Sequence, residues 1–274
     1  MQLFSIQNLN FAYGRECVLQ NVNLEYESKD FLAIIGPNGG GKSTLLKLLL
    51  GLIPPKLQSG KIALNCKITE IGYVPQSTQA NANFPLRVLE VVLMGRVGKK
   101  CFGFYDKEDK KAALEALKSV RLENLSERKI SDLSIGQRQR VFIARALCRK
   151  CKLLLLDEPT ASLDLQNALQ IFELLKSLQK RGIGVVVVCH DTNLVLSFAE
   201  KIAYINKELF LHKNTQETQK LEFLKHLSTT HKHFCDIEMS LNSCECVSAP
   251  NTAQDSLSPK ASKTPKNKGR KRNA

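Results

Sequence analysis

Gly36-Pro37-Asn38-Gly39-Gly40-Gly41-Lys42-Ser43-Thr44 lies between the apolar run Phe31 to Ile35 and the leucine-rich stretch Leu45 to Leu50. Strand, glycine-rich turn and helix follow in the order of the spacing G-x-x-x-x-G-K-S, and that spacing has a chemical reason. Glycines let successive backbone N–H groups turn inward onto phosphate oxygens, and the new helix adds its positive N-terminal end. Gly36, Asn38, Gly39, Gly40 and Gly41 are therefore predicted to cradle a triphosphate with Ser43 and Thr44 at the helix start, while Lys42 reaches its β and γ groups. The Ser43 hydroxyl is placed to join the shell of Mg²⁺, a hard ion that takes phosphate, carboxylate and water oxygens. A turn that merely caps a helix has similar composition, but it does not require the flanking strand and helix together.

The rest of the composition sets bounds. With 274 residues, 43% hydrophobic and 24% charged, the chain is expected to be a soluble globular protein of one large or two modest domains. No apolar stretch approaches the ~18 residues of a membrane span. Met1-Gln2-Leu3-Phe4 enters a strand-like pattern without a basic segment and apolar core, so no signal peptide is expected and the chain is read as cytosolic. Nine cysteines, an odd number scattered along the chain, suit reduced thiols better than a disulfide framework. The net charge of +14 suggests nucleic acid until it is located: half of it comes from seven basic residues between Ser258 and Ala274, with no acid among them. Residues 248–274 are therefore predicted to be a disordered basic tail, solvated or touching anionic lipid or RNA nonspecifically, and no specific nucleic-acid partner is expected.

Along the chain, Leu3 to Leu24 alternates apolar and polar residues between turn signals at Asn8, Asn10 and Tyr13-Gly14, which predicts antiparallel strands. Phe31 to Ile35, Leu153 to Leu156 and Val185 to Cys189 are unbroken apolar runs, the pattern of parallel strands covered on both faces. Further strands are expected at Ile62 to Leu64 and Ile71 to Val74, and a terminal hairpin at Ile202 to Leu211. Helices are predicted over Lys42 to Leu52, Asp106 to Val120, Leu122 to Ile130, Gly136 to Arg149, Gln166 to Lys180 and Leu194 to Ala199. Asn81 to Arg96 reads as a loop and then a helix, and a short helix is expected near Leu221 to Leu227. Residues 77–150 thus form a helical insert in an alternating α/β chain.

Three further elements fall at predicted strand ends, where open α/β sheets bind ligands. Leu153 to Leu156 delivers Asp157 and Glu158, and Pro159 stops the strand so that both carboxylates stay at the rim. Asp157 suits the Mg²⁺ shell, and Glu158 is placed to orient or deprotonate the water in an in-line displacement. His190 follows Val185 to Cys189, where an imidazole can hydrogen-bond a γ-phosphate or a water. Gln76, after Tyr73-Val74-Pro75, offers an amide that can hold metal-bound water and release it.

With these on the page, Leu133-Ser134-Ile135-Gly136-Gln137-Arg138-Gln139-Arg140 resembles the signature sequence of the ATP-binding-cassette (ABC) family, and it precedes Asp157-Glu158 in that family's order. The resemblance implies that Ser134, Gly136, Gln137 and the helix start behind them close on the γ-phosphate of ATP held by a second copy. Ser162-Leu163-Asp164 resembles the family's D-loop, and Tyr13 occupies the place of its adenine-stacking aromatic. Ile135 stands where the family commonly has glycine, so altered packing is expected there. The implied fold is a P-loop NTPase (RecA-like) α/β core with an antiparallel β subdomain and a helical subdomain, spanning residues 1–212. Lys42, Gln76, Glu158 and His190 are its implied catalytic residues, ATP and Mg²⁺ its cofactors, and a homodimer of cassettes its working form.

Among ABC proteins, Gly36 to Thr44 with its three consecutive glycines, together with Phe84 to Arg96, is similar to the ATPase subunits of bacterial zinc, manganese and iron importers. That implies a peripheral place on the inner face of the cell membrane, with integral membrane permease subunits and a metal-binding extracytoplasmic protein as partners. Phe84, Leu86 and Val88 are candidates either for an apolar patch facing the permease or for ordinary internal contacts. The alternative is a soluble ABC ATPase acting on ribosomes, DNA or iron–sulfur assembly; the single cassette weighs against the translation-associated members and the lack of a heptad insertion against the DNA-repair members. Residues 213–247 form an extension in which His231, His233 and Cys235, with His226, Cys244 and Cys246 nearby, present ligands suited to Zn²⁺, though without the tidy spacing of structural zinc sites.

Overall fold

The computed structural model describes residues 1–28, 30–53, 58–76, 85–96 and 105–213. Its central sheet is built from the runs that are apolar without interruption. In β3 (Phe31–Ile35), β6 (Leu153–Asp157) and β7 (Gly184–Val188) every residue is buried. With β5 (Ile71–Val74), β8 (Lys201–Asn206) and β9 (Glu208–Lys213) they make six strands in the order β5-β6-β7-β3-β8-β9. All neighbours are parallel except the closing β8–β9 hairpin. Period-two alternation explains the absence of polar positions: Leu154, Leu156, Val185 and Val187 enter the core on one face, and Leu153, Leu155, Val186 and Val188 enter a second core on the other.

That second core is roofed by an antiparallel sheet, β2-β1-β4, formed by β1 (Gln2–Tyr13), β2 (Glu16–Glu27) and β4 (Gln58–Leu64), and by helix α1 (Lys42–Leu49). Asn8 and Asn10, expected to mark turns, instead sit inside one continuous strand. The pairing of β1 with β2 slips on either side of Leu9. Asn8 and Asn21 take left-handed φ values of 49° and 48°. The Asn8 amide donates to Asn23 Oδ1 at 2.9 Å and the Asn21 amide to Asn10 Oδ1 at 2.8 Å. Asparagine tolerates this backbone, and its side chain replaces the ladder bonds that a bulge breaks.

The other face carries α2 (Val88–Leu93), α3 (Lys107–Ser119), α4 (Ile135–Leu147), α5 (Leu165–Lys180) and α6 (Thr192–Phe198). Asp109 ties α3 to the turn after α2. It accepts from Arg96 Nε at 2.8 Å and from the Asp106 amide at 3.2 Å, and the Arg96 guanidinium holds its carboxyl below the usual carboxylate range.

Two further expectations are corrected. Helix α1 ends at Leu49, not Leu52, because the Gly51 and Leu52 amides fold back onto Leu48 O and Lys47 O and reverse the chain. Residues 122–130 do not form a helix but 3₁₀ turns at Glu123–Leu125 and Ile130–Asp132. Their backbone groups serve α2 instead: the Val88 and Leu89 amides donate to Arg128 O and Ser126 O, and the Ile130 amide to Leu86 O. Val88 is fully buried and Leu86 packs partly buried against the same core, so both make internal contacts rather than a surface patch. Phe84 lies outside the described residues, as do the residues of the helix expected near Leu221, of the His231, His233 and Cys235 cluster and of the expected basic tail. Every described cysteine is free, and burial pushes the Cys151 thiol up to about 12, as befits a packing residue.

Candidate nucleotide site

The strand order places the motifs. Strands β5, β6, β7 and β3 lie side by side, and their C-terminal ends lead to Gln76, to Asp157-Glu158, to His190 and to the Gly36 loop respectively.

The loop is wedged rather than free. A Cβ on Gly36 would stand 2.0 Å from Ile205 O, and one on Gly41 2.6 Å from Leu19 Cδ2, so neither position has room for a side chain. The Lys207 amide donates to Gly40 O at 3.2 Å, fixing the loop to the end of β8. Helix α1 then starts from Gly41 (φ 101°) with no side-chain cap and no acidic residue in its first turn, leaving its N–H groups directed at an incoming anion. Asn38 and Gly39 are exposed, while Ser43 and Thr44 are half-buried. Lys42 is 5% exposed, and its Nζ donates to Gly36 O and Pro37 O, both at 2.9 Å. Burial pulls its pKa below the usual lysine value, partly offset by Glu158 and Asp157.

Beside it, Ser43 Oγ donates to Asp157 Oδ1 at 3.1 Å. Asp157 is buried, which pushes its carboxyl above the usual range against the pull of the Ser43 hydrogen bond. Glu158 is turned out of the strand by a left-handed backbone (φ 49°), with its amide donating to Val188 O. Its two carboxylate oxygens are divided between neighbours: Gln76 Nε2 donates to Oε2 at 2.6 Å, and His190 Nε2 lies 2.5 Å from Oε1. A carboxylate held from both sides is aimed, and it can accept a proton from a water that displaces one neighbour.

A second group is built on other helices. Ser134 caps α4 in a reciprocal box: the Gln137 amide donates to Ser134 Oγ at 3.2 Å and the Ser134 amide to Gln137 Oε1 at 3.0 Å. Asp164 caps α5, accepting from the Asn167 amide at 2.8 Å and from Asn167 Nδ2 at 2.9 Å. The Asn167 side chain in turn packs on Gly136, where a Cβ would meet Oδ1 at 3.0 Å. Ile135, the first residue of α4, is 51% exposed. Tyr13 stands at the end of β1, half-exposed, edge-on to Phe11 at 4.7 Å between centroids. The supports contributed by Ile205 and Lys207 escaped the sequence reading, because they act through backbone atoms and leave no side-chain signal.

Sheet order, anion-directed loop and paired carboxylates define a nucleotide-hydrolysing α/β cassette. The chain belongs to the ABC transporter family, whose family model matches residues 19–161. It is 39% identical to the manganese transport system ATP-binding protein MntB of Listeria monocytogenes serovar 1/2a, across 80% of this chain and 94% of that one. It is 40% identical to the high-affinity zinc uptake system ATP-binding protein ZnuC of Bacillus subtilis, across 76% and 92%. Among solved structures it resembles a dimeric ATP-binding cassette in a post-hydrolysis state bound to ADP and Pi, with TM-score 0.63, 34% identity and coverage of 78% and 100%. It also resembles the ADP conformation of an ABC transporter's cassette, with TM-score 0.73, 26% identity and coverage of 80% and 94%. The chain is thus an ATP-binding, ATP-hydrolysing cassette subunit, and no helix among the described residues is long and apolar enough to cross a membrane.

Proposed function

We propose that this cassette is the motor of an importer for a transition-metal ion, zinc, manganese or iron. The observation that carries the reading is its identity of about 40%, over most of both chains, with relatives named for manganese transport and zinc uptake. Those names also favour a transport motor over a non-transport ABC ATPase. In this reading the cassette occupies residues 1–212, with a helical subdomain over about 77–150, and two copies sandwich two ATP molecules. The dimer sits on the inner face of the membrane beneath two permease subunits, which receive metal from an extracytoplasmic binding protein.

Within each pocket the Gly36 to Thr44 loop and the start of α1 hold the phosphates, Lys42 moves from the loop carbonyls to the β and γ groups, and Tyr13 stacks on the base. Glu158 orients the attacking water and takes its proton. His190 steadies that carboxylate and contacts the terminal phosphate, while Gln76 holds its other oxygen and can coordinate metal-bound water and release it. Ser43 and Asp157, two hard oxygen donors already 3.1 Å apart, fit Mg²⁺, which when bound neutralises charge on the phosphates. Ser134, Gly136 and Gln137 of one copy close on the γ-phosphate in the other, with Asp164 supporting them. The protein contributes placement and electrostatics, since phosphoryl transfer asks little covalent help.

The test is uptake of radiolabelled zinc, manganese and iron by cells lacking the gene. Restoration of one metal's uptake by the wild-type chain, and not by Glu158→Gln, is the expected result. Full uptake of all three metals without the gene would remove the metal-import reading while leaving the cassette assignment untouched.

A further inference from the structure

Away from the nucleotide site, a cavity of about 360 Å³ opens between the end of α3, the middle of α4 and the second half of α5. Its size falls in the range of small-ligand sites, roughly 300–1,000 Å³. Its wall carries two cations against one acid. Arg121 and Arg140 both line it, with Gln170, Glu173, Ser119 and Ser177 around them. Two guanidiniums sharing one cavity repel each other, and among the described residues neither is in a salt bridge with a carboxylate. Among the described residues, the hydrogen-bond partner of the Arg140 side chain is a neutral amide, the side chain of Gln170. Burial and the nearby Arg121 both pull the Arg140 pKa down, so the cationic pair is held at a cost that an anion would relieve. Arg121 is held at this edge by a left-handed backbone, φ 60°, that ends α3. The serine hydroxyls donate to helix carbonyls, Ser119 to Glu115 O at 3.0 Å and Ser177 to Leu174 O at 2.7 Å. The guanidiniums, with the Gln170 amide N–H beside them, are therefore the donors left to recognise a ligand. Planar forks of this kind match carboxylate and phosphate oxygens in pairs.

We propose that this cavity binds a small organic oxyanion, a phosphate monoester or a carboxylate, clamped between Arg121 and Arg140. The site stands on the helix that begins at Ser134 and on the one capped by Asp164, so an occupant ties those two helices and the end of α3 together. Glu173 is the one acid in the wall, and it sets the sign of the test.

Isothermal titration of the full chain, with ADP in saturating excess to fill the phosphate loop and ionic strength held constant, distinguishes the two chemistries. Glycerol 3-phosphate and succinate are the probes. One added equivalent of either, with Kd at or below about 1 mM, is expected, and which one binds identifies the group recognised. Arg121→Gln should weaken that binding about tenfold or more, since it removes a charge-assisted hydrogen bond, and Arg121→Lys by less. Glu173→Gln should tighten it about threefold, because a like charge is removed. Absence of saturable binding of both probes overturns the proposal. So does binding that Arg121→Gln leaves unchanged in a protein with wild-type circular dichroism, or that Glu173→Gln weakens.

Discussion

Two helix starts in this molecule, both proposed to meet phosphate, open under different conditions. Helix α1 opens from Gly41 with no side-chain cap, while α4 opens from Ser134 with a complete capping box closed by Gln137. An uncapped first turn leaves N–H groups without partners, so α1 is made for an anion and is less stable without one. The first turn of α4 is satisfied by its own side chains and stands on its own. In the proposed function, one helix start is a standing cradle and the other a rigid surface brought to a ligand held by a second copy.

The largest effect should come from separating chemistry from both helix starts. Glu158→Gln is expected to lower ATP turnover about 10²–10⁴-fold, with nucleotide affinity within about threefold of wild type, measured by phosphate release and by fluorescent-nucleotide titration. Ser134→Asp should sharpen the contrast. Aspartate caps as well as serine, so the urea midpoint should move by less than about 0.5 kcal/mol in stability. Turnover should nonetheless fall about a hundredfold, because in the proposed closed dimer a carboxylate would then face phosphate. Gly41→Ala attacks the cradle itself. A side chain at φ 101° and 2.6 Å from Leu19 Cδ2 should cost about 1–3 kcal/mol in thermal or chemical unfolding and weaken nucleotide binding. Ser134→Ala should cost about 1 kcal/mol of stability through the lost cap, with nucleotide binding to the monomer unchanged.

The smallest effect lies behind α4, where Asp109 anchors α3 to Arg96. Its folded carboxyl titrates below the ordinary value, so its stabilisation is present at neutral pH and is lost as pH falls from the carboxylate range through that lower value. Asp109→Asn should therefore be less stable than wild type at pH 7, with the difference in urea midpoint closing as the pH drops through that window. A difference that stayed constant down to the acid limit would show that Asp109 acts by packing and not by charge.

Much of this was legible along the chain, for identifiable reasons. Phe31 to Ile35 and Val185 to Val188 read as covered strands because both of their faces are buried, which removes every polar position. Glu158 and His190 could be singled out because each follows such a run. What failed were local rules overruled by distant partners. Asn8 and Asn10 carry turn chemistry, yet their amides are used inside a bulged sheet. Residues 122–130 have helical composition, but α2 takes up their backbone groups.

The sequence by itself determined which residues can meet a triphosphate, since glycine spacing, a lysine and paired carboxylates are chemical requirements expressed over a few residues. Only the tertiary structure decided that Gln76 and His190 grip opposite oxygens of Glu158, and that β8 props the glycine loop from below. Those contacts join segments up to 169 residues apart along the chain, such as Gly36 and Ile205. They depend on strand order, and no local pattern encodes which strands become neighbours.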